Sequence, residues 1–333
     1  MRRAYRELQG LFAAYKPAGV HWKRVRDTIE TRLIQDLRSL DRPSQPERVR
    51  FLLGSGEGQD PSELTLTATN VPVLAEHPLV KGPPFPHLKV GVGAHLDLPS
   101  SGVLILGVGS GNQLLQRLKS QHLSKEYIVQ GVFGKATDDF SDTGRLVEKT
   151  TFDHVTLCSL EKVIAMIGGT HQKALLMYAG IDLHSQEAYE QAVAGLLRPS
   201  HKTTPLITGI RCVHFDPPHF TLEVQSLNET QQYLRKLVHE IGLELRSSAV
   251  CVQVRRTCDG PFTQQDALLH SHWDLDKVRA AVAEAGPRVW AALHHGRDVQ
   301  SGERREPVRV TNTGQQKVHT TGDDKGPSPE HLP

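Results

Sequence analysis

The sequence lacks the roughly 18 consecutive apolar residues that a membrane-spanning helix requires, and its longest apolar runs, such as residues 102–108, have the length of a strand. It has only four cysteines and no Cys-x-x-Cys pair, which argues against a disulfide-stapled scaffold and predicts a reducing compartment. The apolar region of a secretory signal is also missing. Eighteen histidines are present, but the close pairs His270/His272 and His294/His295 lack a carboxylate–histidine pattern on a helix face, so no metal site is predicted.

Positive charge is concentrated near the N-terminus. Residues 1–50 carry twelve Lys and Arg against six acids, although the whole chain has a net charge of only +2. A basic segment can bind phosphates, but the arginines between positions 24 and 38 also suit the solvent side of an ordinary amphipathic helix. The basic segment 1–9 has the arginines of a mitochondrial presequence, whereas Glu7 does not fit one. We expect a mitochondrial protein of the matrix.

The order of helical and strand patterns predicts the fold class. Strands are predicted at 11–15, 64–73, 87–93, 102–106, 127–133, 207–215, 221–227 and 249–255, and helices at 23–40, 112–121, 159–167, 185–197, 229–241 and 274–284. These elements do not alternate strictly, and the later strands come in adjacent pairs. The pattern therefore favours an α+β fold with a mixed, largely antiparallel sheet flanked by helices.

Composition divides the chain into regions. Residues 10–290 carry the strand and helix patterns and are predicted to be one domain. Within them, residues 41–63 are charged and rich in Pro, Gly and Ser, which is typical of an exposed insertion. Residues 291–333 have few large apolar side chains and are predicted to be a disordered tail, because they cannot bury enough surface to offset the loss of chain entropy.

One carboxylate stands in a setting that suits chemistry. Asp97 lies in the segment Leu-Asp-Leu-Pro-Ser-Ser-Gly, a tight turn directly before a buried strand. Taken alone, an aspartate in such a turn more often hydrogen-bonds its own backbone than catalyses a reaction.

Several ordered motifs together resemble the TruB family of pseudouridine synthases. Asp97 and the following Ser101-Gly102-Val103-Leu104 are similar to that family's LDxxAxGvL signature. The other matching stretches are Tyr15-Lys16-Pro17-x-Gly19, Lys89 and Gly91, Lys125-Glu126-Tyr127, Met177-Tyr178-Ala179 with Tyr189, Tyr233-Leu234-Arg235, and Arg255-Arg256-Thr257-x-x-Gly260-x-Phe262. The resemblance extends from about residue 10 to about residue 270, and the likeness is greatest to the mitochondrial branch, the second animal homologue.

The resemblance implies an enzyme that isomerises uridine in RNA to pseudouridine, without cofactor or metal. Asp97 would be the catalytic carboxylate, Arg235 its charge partner, and Tyr127 the active-site tyrosine that stacks on the uracil or moves protons. The implied RNA-binding residues are Lys16, Lys89, Lys125, Tyr178, Arg255 and Arg256. The reaction requires the uridine to leave its stack, which costs on the order of a few kcal/mol. The RNA would be a tRNA or a mitochondrial mRNA, and mitochondrial RNA-processing proteins are expected partners.

The sequence departs from the family pattern at positions that bear on substrate choice. Val92 stands where the family has histidine, Ala94 where it has glycine, and His21-Trp22 where it has Thr-Ser. The chain after Arg288 is too short and too polar for the RNA-binding PUA domain of bacterial members. We therefore expect RNA recognition to differ from that of the bacterial enzymes.

Two other interpretations remain open at this stage. Residues 103–112, a strand pattern followed by Gly107-x-Gly109-x-Gly111, resemble the loop of methyltransferases that bind S-adenosylmethionine, although the next strand pattern ends without the acidic residue that would hold a ribose. The second alternative is a non-catalytic RNA-binding or assembly protein that kept the fold and lost the reaction.

Overall fold

The computed structural model describes residues 2–40, 47–55, 64–73, 87–180, 184–193 and 204–301, with positions 75, 80, 82, 182, 197 and 199. The helices in these residues are α1 (Arg2–Glu7), α2 (Trp22–Ser39), α3 (Gly111–Ser120), α4 (Leu157–Ala179), α5 (Gln186–Val193), α6 (Gln231–Glu244) and α7 (Leu275–Ser301). The strands are β1 (Gly10–Lys16), β2 (Glu47–Ser55), β3 (Leu64–Pro72), β4 (Val90–Val92), β5 (Ser101–Val108), β6 (Lys125–Phe133), β7 (Lys135–Thr137), β8 (Leu146–Lys149), β9 (Leu206–Asp216), β10 (His219–Leu227), β11 (Ala249–Asp259), β12 (Phe262–Thr263) and β13 (Ala267–Leu268).

A mixed sheet forms the centre of the described structure. Its strand order is β13-β1-β5-β11-β6-β10-β9, with β4 added to β5 and β12 added to β11. The β1–β13 and β5–β11 pairs are parallel, and the other pairs in this sheet are antiparallel. The predicted α+β class with a largely antiparallel sheet is confirmed.

The helix α2 forms because apolar side chains recur every four residues on one face. Val25, Ile29, Leu33 and Leu37 are buried along that face, and they pack into a core with Phe12 of β1. Burial of each such side chain stabilises the fold by about 1.5–3 kcal/mol. The predicted helix at 23–40 is therefore confirmed within one residue at each end.

Two further apolar clusters complete the core. Leu160 of α4 and Leu234 of α6 pack against β6 and β10, where they meet Leu222. Leu115 of α3 and Val289 of α7 pack in a separate cluster with residues of β1 and β5. The helices therefore cover the sheet in separate patches, and the turn that contains Asp97 lies at the beginning of the fully buried strand β5.

Strands β5 and β11 approach each other closely at Gly102. Its φ is +118°, and a Cβ atom built there would lie 2.1 Å from the carbonyl oxygen of Arg256. Only glycine fits this approach, because any side chain would collide with backbone. The glycine of the Asp97 segment is thus required by the parallel pairing of β5 with β11.

The predicted insertion and tail lie partly outside the described residues. Residues 47–55 form β2, which pairs antiparallel with β3 in a separate two-stranded sheet, whereas residues 41–46 and 56–63 lie outside the description, as do residues 302–333. Helix α7 continues to Ser301, past the predicted end at 284, because Val289 and Leu293 still pack into the core beyond Pro287. In the described part of the chain, no helix has both the length and the apolar character needed to cross a bilayer.

Candidate active site

Asp97 occupies a turn between β4 and β5, and its two carboxylate oxygens have different partners. Oδ1 accepts a hydrogen bond from the backbone N of Ser100 at 3.1 Å, which is the turn-forming contact that an aspartate in such a segment ordinarily makes. Oδ2 lies 2.6 Å from Arg235 Nη1. The Asp97 side chain keeps 29% of its surface exposed, against 15% for Arg235. The carboxylate is therefore held on two sides and still reaches the surface.

The N-terminal turn of α6 holds the Asp97 segment. Thr230 caps the helix by accepting a hydrogen bond from Tyr233 N, so the helix begins at Gln231. Gln231 Oε1 then accepts a hydrogen bond from the backbone N of Asp97 at 3.3 Å. One turn later on the same helix, Arg235 reaches the carboxylate. The predicted pairing of Arg235 with Asp97 is present, because α6 positions both contacts.

Lys16 ties the end of β1 to the same turn. Its ammonium group donates to the carbonyl oxygens of Ser100 at 2.5 Å, Leu98 at 3.2 Å and Pro17 at 3.2 Å, and the residue is 0% exposed. Burial lowers the pKa of Lys16 to about 8, an effect that the charge of Asp97 opposes and that of Arg256 reinforces. The backbone N of Gly19 also donates to Leu98 O at 2.9 Å.

Tyr127 is enclosed in the protein interior beside a buried carboxylate. Its hydroxyl donates to Glu229 Oε1 at 2.5 Å, and Lys125 Nζ lies 3.0 Å from the same oxygen. Burial raises the pKa of Tyr127 well above its ordinary value; Arg256 opposes this, and Glu229 adds to it. The phenol is therefore neutral at physiological pH.

Arg256 is a second buried cation of the site. Its Nε donates to Val103 O at 2.9 Å and its Nη2 to Ala94 O at 2.8 Å, and Nη1 lies 3.5 Å from Asp259 Oδ2. These bonds join β11 to β5 and to the segment that leads into Asp97. Arg256 is 0% exposed, so the structure does not support its prediction as a phosphate ligand. The same correction applies to Lys16, because in each case the cationic group is directed at backbone oxygens inside the protein.

The other predicted RNA-binding residues lie at the surface or partly buried. Lys89 is exposed just before β4, and Tyr178 is 43% exposed near the end of α4. Arg255 is half-buried on β11 beside Arg256, and Lys125 is half-buried at its ion pair with Glu229.

The glycine-rich segment after β5 does not form a cofactor loop. A Cβ atom at Gly111 would lie 2.0 Å from Gly10 O, and the backbone N of Ser110 donates to Gln9 Oε1 at 2.9 Å. Asn112 Nδ2 donates to Lys89 O at 3.1 Å. The glycines thus permit close packing of α3 against β1, and the loop amide that would face a phosphate contacts the protein itself. This geometry does not support the methyltransferase alternative.

Sequence reasoning missed several polar groups of the site. Glu229 contacts both Tyr127 and Lys125, Gln231 holds the backbone of Asp97, and Asp259 lies beside Arg256. Glu229 and Gln231 stand just before the Tyr233-Leu234-Arg235 motif, and that proximity was the available signal. Asp259 occupies an unspecified position inside the Arg255-Arg256-Thr257-x-x-Gly260 motif, three residues after its partner Arg256 on β11, and that position was the available signal.

A partly exposed carboxylate held by a guanidinium is a group that can attack an electrophilic carbon. The fold and site are those expected of an enzyme, and its class follows from the proteins that the chain resembles. A family model described as "TruB family pseudouridylate synthase (N terminal domain)" matches residues 84–232.

Curated relatives give the same result over most of the chain. "Pseudouridylate synthase TRUB2, mitochondrial" of Homo sapiens is 58% identical over 86% of this chain and 86% of that protein. Its Mus musculus counterpart is 54% identical over 92% of each. Among solved structures, the archaeal box H/ACA sRNP Nop10–Cbf5 complex matches 82% of this chain and 59% of that chain, with 17% identity and a TM-score of 0.45.

The chain belongs to the TruB family of pseudouridine synthases, and within it to the branch of mitochondrial animal homologues. It is accordingly an RNA-modifying isomerase. This confirms the family, the enzyme class and the activity predicted from the motifs.

Proposed function

We propose that Asp97 is the catalytic carboxylate of this pseudouridine synthase and that it acts on a uridine flipped out of its RNA. The observation that carries the proposal is the 2.6 Å contact between Asp97 Oδ2 and Arg235 Nη1 on a partly exposed carboxylate. The guanidinium fixes the position of one carboxylate oxygen. The carboxylate keeps 29% of its side-chain surface exposed and is accessible to an extruded base.

The reaction rearranges bonds within one nucleotide. The bond between C1′ and N1 breaks as Asp97 acts on C1′ or on the uracil ring, the base rotates, and C5 joins C1′. The proton on C5 leaves and N1 gains one, so atoms and electrons balance without an oxidant or reductant. Arg235 keeps the Asp97 carboxylate oriented through these steps.

Tyr127 is proposed to carry a proton, whereas its 0% exposure does not support the predicted stacking on the uracil. Because the pKa of Tyr127 is raised by burial, its phenolate is a poor candidate for the base. The hydroxyl can instead relay a proton to Glu229 Oε1, which already accepts its hydrogen bond at 2.5 Å. Glu229 is thereby proposed as the final acceptor.

The remaining predicted RNA-binding residues divide into two groups. Lys89, Lys125, Tyr178 and Arg255 are proposed to contact RNA, and for Lys89 and Tyr178 this is supported by their exposure. Lys16 and Arg256 are proposed as positioning residues, because their side chains hold the backbone on either side of Asp97.

We further propose a mitochondrial matrix protein that modifies tRNA or mRNA of that organelle together with other RNA-processing proteins. Two observations support this proposal: the relatives at 54–58% identity are named mitochondrial, and the first fifty residues are rich in Lys and Arg. Residues 10–290 are proposed as the catalytic domain, with residues 1–9, 41–63 and 291–333 as additions to it. Residues 2–7 of the first segment form α1, whose Ala4 is buried against the core together with Leu8.

The decisive experiment maps pseudouridine in the RNA of cells that carry Asp97→Asn in place of the wild-type chain. The amide keeps the shape of the side chain and removes its charge, so we expect the sites made by the wild-type protein to disappear. Asp276→Asn is the matched control, since Asp276 is 84% exposed at the start of α7, and it should leave every site modified.

Two outcomes contradict the proposal. Undiminished pseudouridine with Asp97→Asn would remove Asp97 from the chemistry. Pseudouridine that is equal in the presence and absence of the wild-type protein would indicate instead the non-catalytic RNA-binding alternative, for which RNA affinity would be retained in both variants.

A further inference from the structure

Two aromatic rings, those of Trp22 and His95, stack beside the Asp97 turn. Trp22 is one of the departures from the family pattern, and His95 directly follows another, Ala94. The rings of Trp22 and His95 have centroids 4.3 Å apart and an interplanar angle of 9°. Trp22 is the first residue of α2, and His95 stands two residues before Asp97. Two residues span at most about 7 Å of chain, so the stack lies within one nucleotide of the catalytic carboxylate.

The histidine presents the outer surface of this stack. His95 is exposed, whereas Trp22 is half-buried beneath it and packs against the apolar core that contains Val25. The pKa of His95 is lowered by partial burial and by the nearby positive charges of Lys119, Arg256, His21 and Lys23. Its imidazole is therefore uncharged at physiological pH, and it offers a flat π-face rather than a cation.

Cationic side chains surround the stack. Lys23 Nζ and Arg26 Cζ each lie 5.7 Å from the Trp22 ring centroid. Arg26 is paired with Asp27 at 2.7 Å, but Lys23 and Arg24 are exposed. These two line an open depression of about 620 Å³ along α2. Its lining also includes His21 and Asp27, the latter already paired with Arg26, and continues down the helix through Thr28, Thr31, Arg32 and Gln35.

We propose that the Trp22–His95 stack is a nucleobase subsite, which binds the nucleotide directly adjacent to the target uridine. The base would stack on the exposed face of His95, with Lys23 and Arg24 binding the phosphates beside it. This inference rests on the proposed function of Asp97, because it takes the extruded uridine as its reference point. A larger base covers more of the ring, so the subsite favours a purine.

The chemistry of the ligand follows from the surface. Single-stranded nucleic acid is bound by aromatic rings that stack on bases, combined with cations that follow the backbone. An extruded uridine leaves its neighbours unstacked, and an adjacent aromatic platform compensates for that loss. A peptide or lipid partner would not require a flat uncharged ring flanked by two exposed cations.

The test is a binding cycle with a short RNA stem-loop that has one loop uridine flanked by adenosines. Each adenosine is replaced in turn by an abasic nucleotide, and dissociation constants are measured in an Asp97→Asn background so that the RNA is not converted. His95→Ala should weaken binding of the intact RNA by about 5-fold to 100-fold. His95→Ala should have little effect on one of the two abasic RNAs, the one that lacks the base bound by His95. His95→Phe, which keeps a ring, should restore binding.

Controls separate this subsite from a general loss of structure. Trp290 and His294 form a comparable stack on α7, with centroids 3.9 Å apart, and Trp290→Ala should not change the effect of the abasic nucleotides. Trp22→Ala should behave as His95→Ala does.

The proposal is overturned if His95→Ala weakens the intact and both abasic RNAs equally, or if Trp290→Ala gives the same pattern. Because the cycle measures binding alone, it can succeed when Asp97 proves non-catalytic and fail when Asp97 is catalytic. The two proposals therefore fail independently.

Discussion

Lys16 and Arg256 are buried cations that bind backbone carbonyls near Asp97, and we propose that they position this turn without touching the substrate. Burial of an ion costs several kcal/mol unless hydrogen bonds and opposite charges compensate it. Lys16 meets this need with three backbone carbonyls for its three protons, and Arg256 with two carbonyls and Asp259. All but one of these carbonyls lie within the residues that surround Asp97, so the buried charge fixes the backbone of that turn.

The match of three protons to three carbonyls predicts a pH dependence. Because the pKa of Lys16 is about 8, the ammonium loses a proton above that pH and one carbonyl loses its donor. We expect activity to fall about tenfold from pH 7 to pH 9 as this single group titrates. Lys16→Met should be less active throughout and should lose this dependence, which a pH–rate profile of both proteins measures.

Unfolding provides the check on that profile. Below pH 8 Lys16 is charged in both the folded and the unfolded chain, whereas between pH 8 and its ordinary value of 10.5 only the unfolded chain holds the proton. The contribution of Lys16 to the free energy of unfolding therefore rises with pH. Because titration of Lys16 does not destabilise the folded chain, unfolding caused by this group cannot explain the loss of activity. Lys236→Met, at an exposed lysine, should still show the fall in activity between pH 7 and pH 9. If the same fall persists in Lys16→Met, the assignment of this pH dependence to Lys16 is wrong.

At the scale of elements, the parallel contact between β5 and β11 positions the turn that contains Asp97. Antiparallel pairs dominate the sheet, but Ser101 and Gly102 pair in parallel with Arg255 and Arg256. This pairing brings the Arg256 side chain across to Val103 and Ala94. The contact depends on the absence of a side chain at Gly102.

We expect Gly102→Ala to lower the free energy of unfolding by about 3 kcal/mol, since the methyl group meets backbone at 2.1 Å and the positive φ adds strain. Activity should fall with it, because β5 carries the Asp97 turn. Gly169→Ala is the control: within 4 Å of its Cβ position the structure has no atom outside the helix's own backbone. It lies inside α4, so alanine should stabilise by about 0.5–1 kcal/mol. Denaturant unfolding of both variants measures this, and equal stabilities would disprove the close approach.

At the scale of the whole molecule, the surface at the start of α2, beside the Asp97 turn, is marked by its positive charge. The first fifty residues carry a strong excess of Lys and Arg, and α2 directs His21, Lys23 and Arg24 outwards beside the Asp97 turn. The opposite end of the sheet, at β9, is covered by α4. An RNA that enters the site would therefore lie along α2.

This arrangement predicts the salt dependence of RNA binding. Each phosphate contact on a single strand contributes about 0.7 to the slope of log affinity against log salt concentration. The double variant Lys23→Gln and Arg24→Gln should weaken binding and reduce that slope by about 1.4. Lys162→Gln, at an exposed position on α4, should leave the slope unchanged. A slope that is equal in all three proteins would place the RNA elsewhere.

Local pattern was sufficient for most elements of this protein and for its family. The four-residue repeat of Val25, Ile29, Leu33 and Leu37 predicts α2, and the apolar run after Gly102 predicts β5, because both patterns depend on neighbours in the chain. Ordered motifs identified Asp97 and Arg235 together. The end of α7 could not be predicted in this way, since Pro287 suggests a stop and only packing of Val289 and Leu293 carries the helix past it.

The tertiary structure alone decided what the charged and aromatic side chains contact. Lys16 and Arg256 look like surface cations in the sequence, and Glu229 looks like a solvent-exposed acid, yet all three are buried. Trp22 meets His95 across more than seventy residues, and Tyr127 meets Glu229 across about one hundred. The physical reason is that the energy of a charge or a ring depends on the groups that surround it in space, and chain folding brings those groups from distant parts of the sequence.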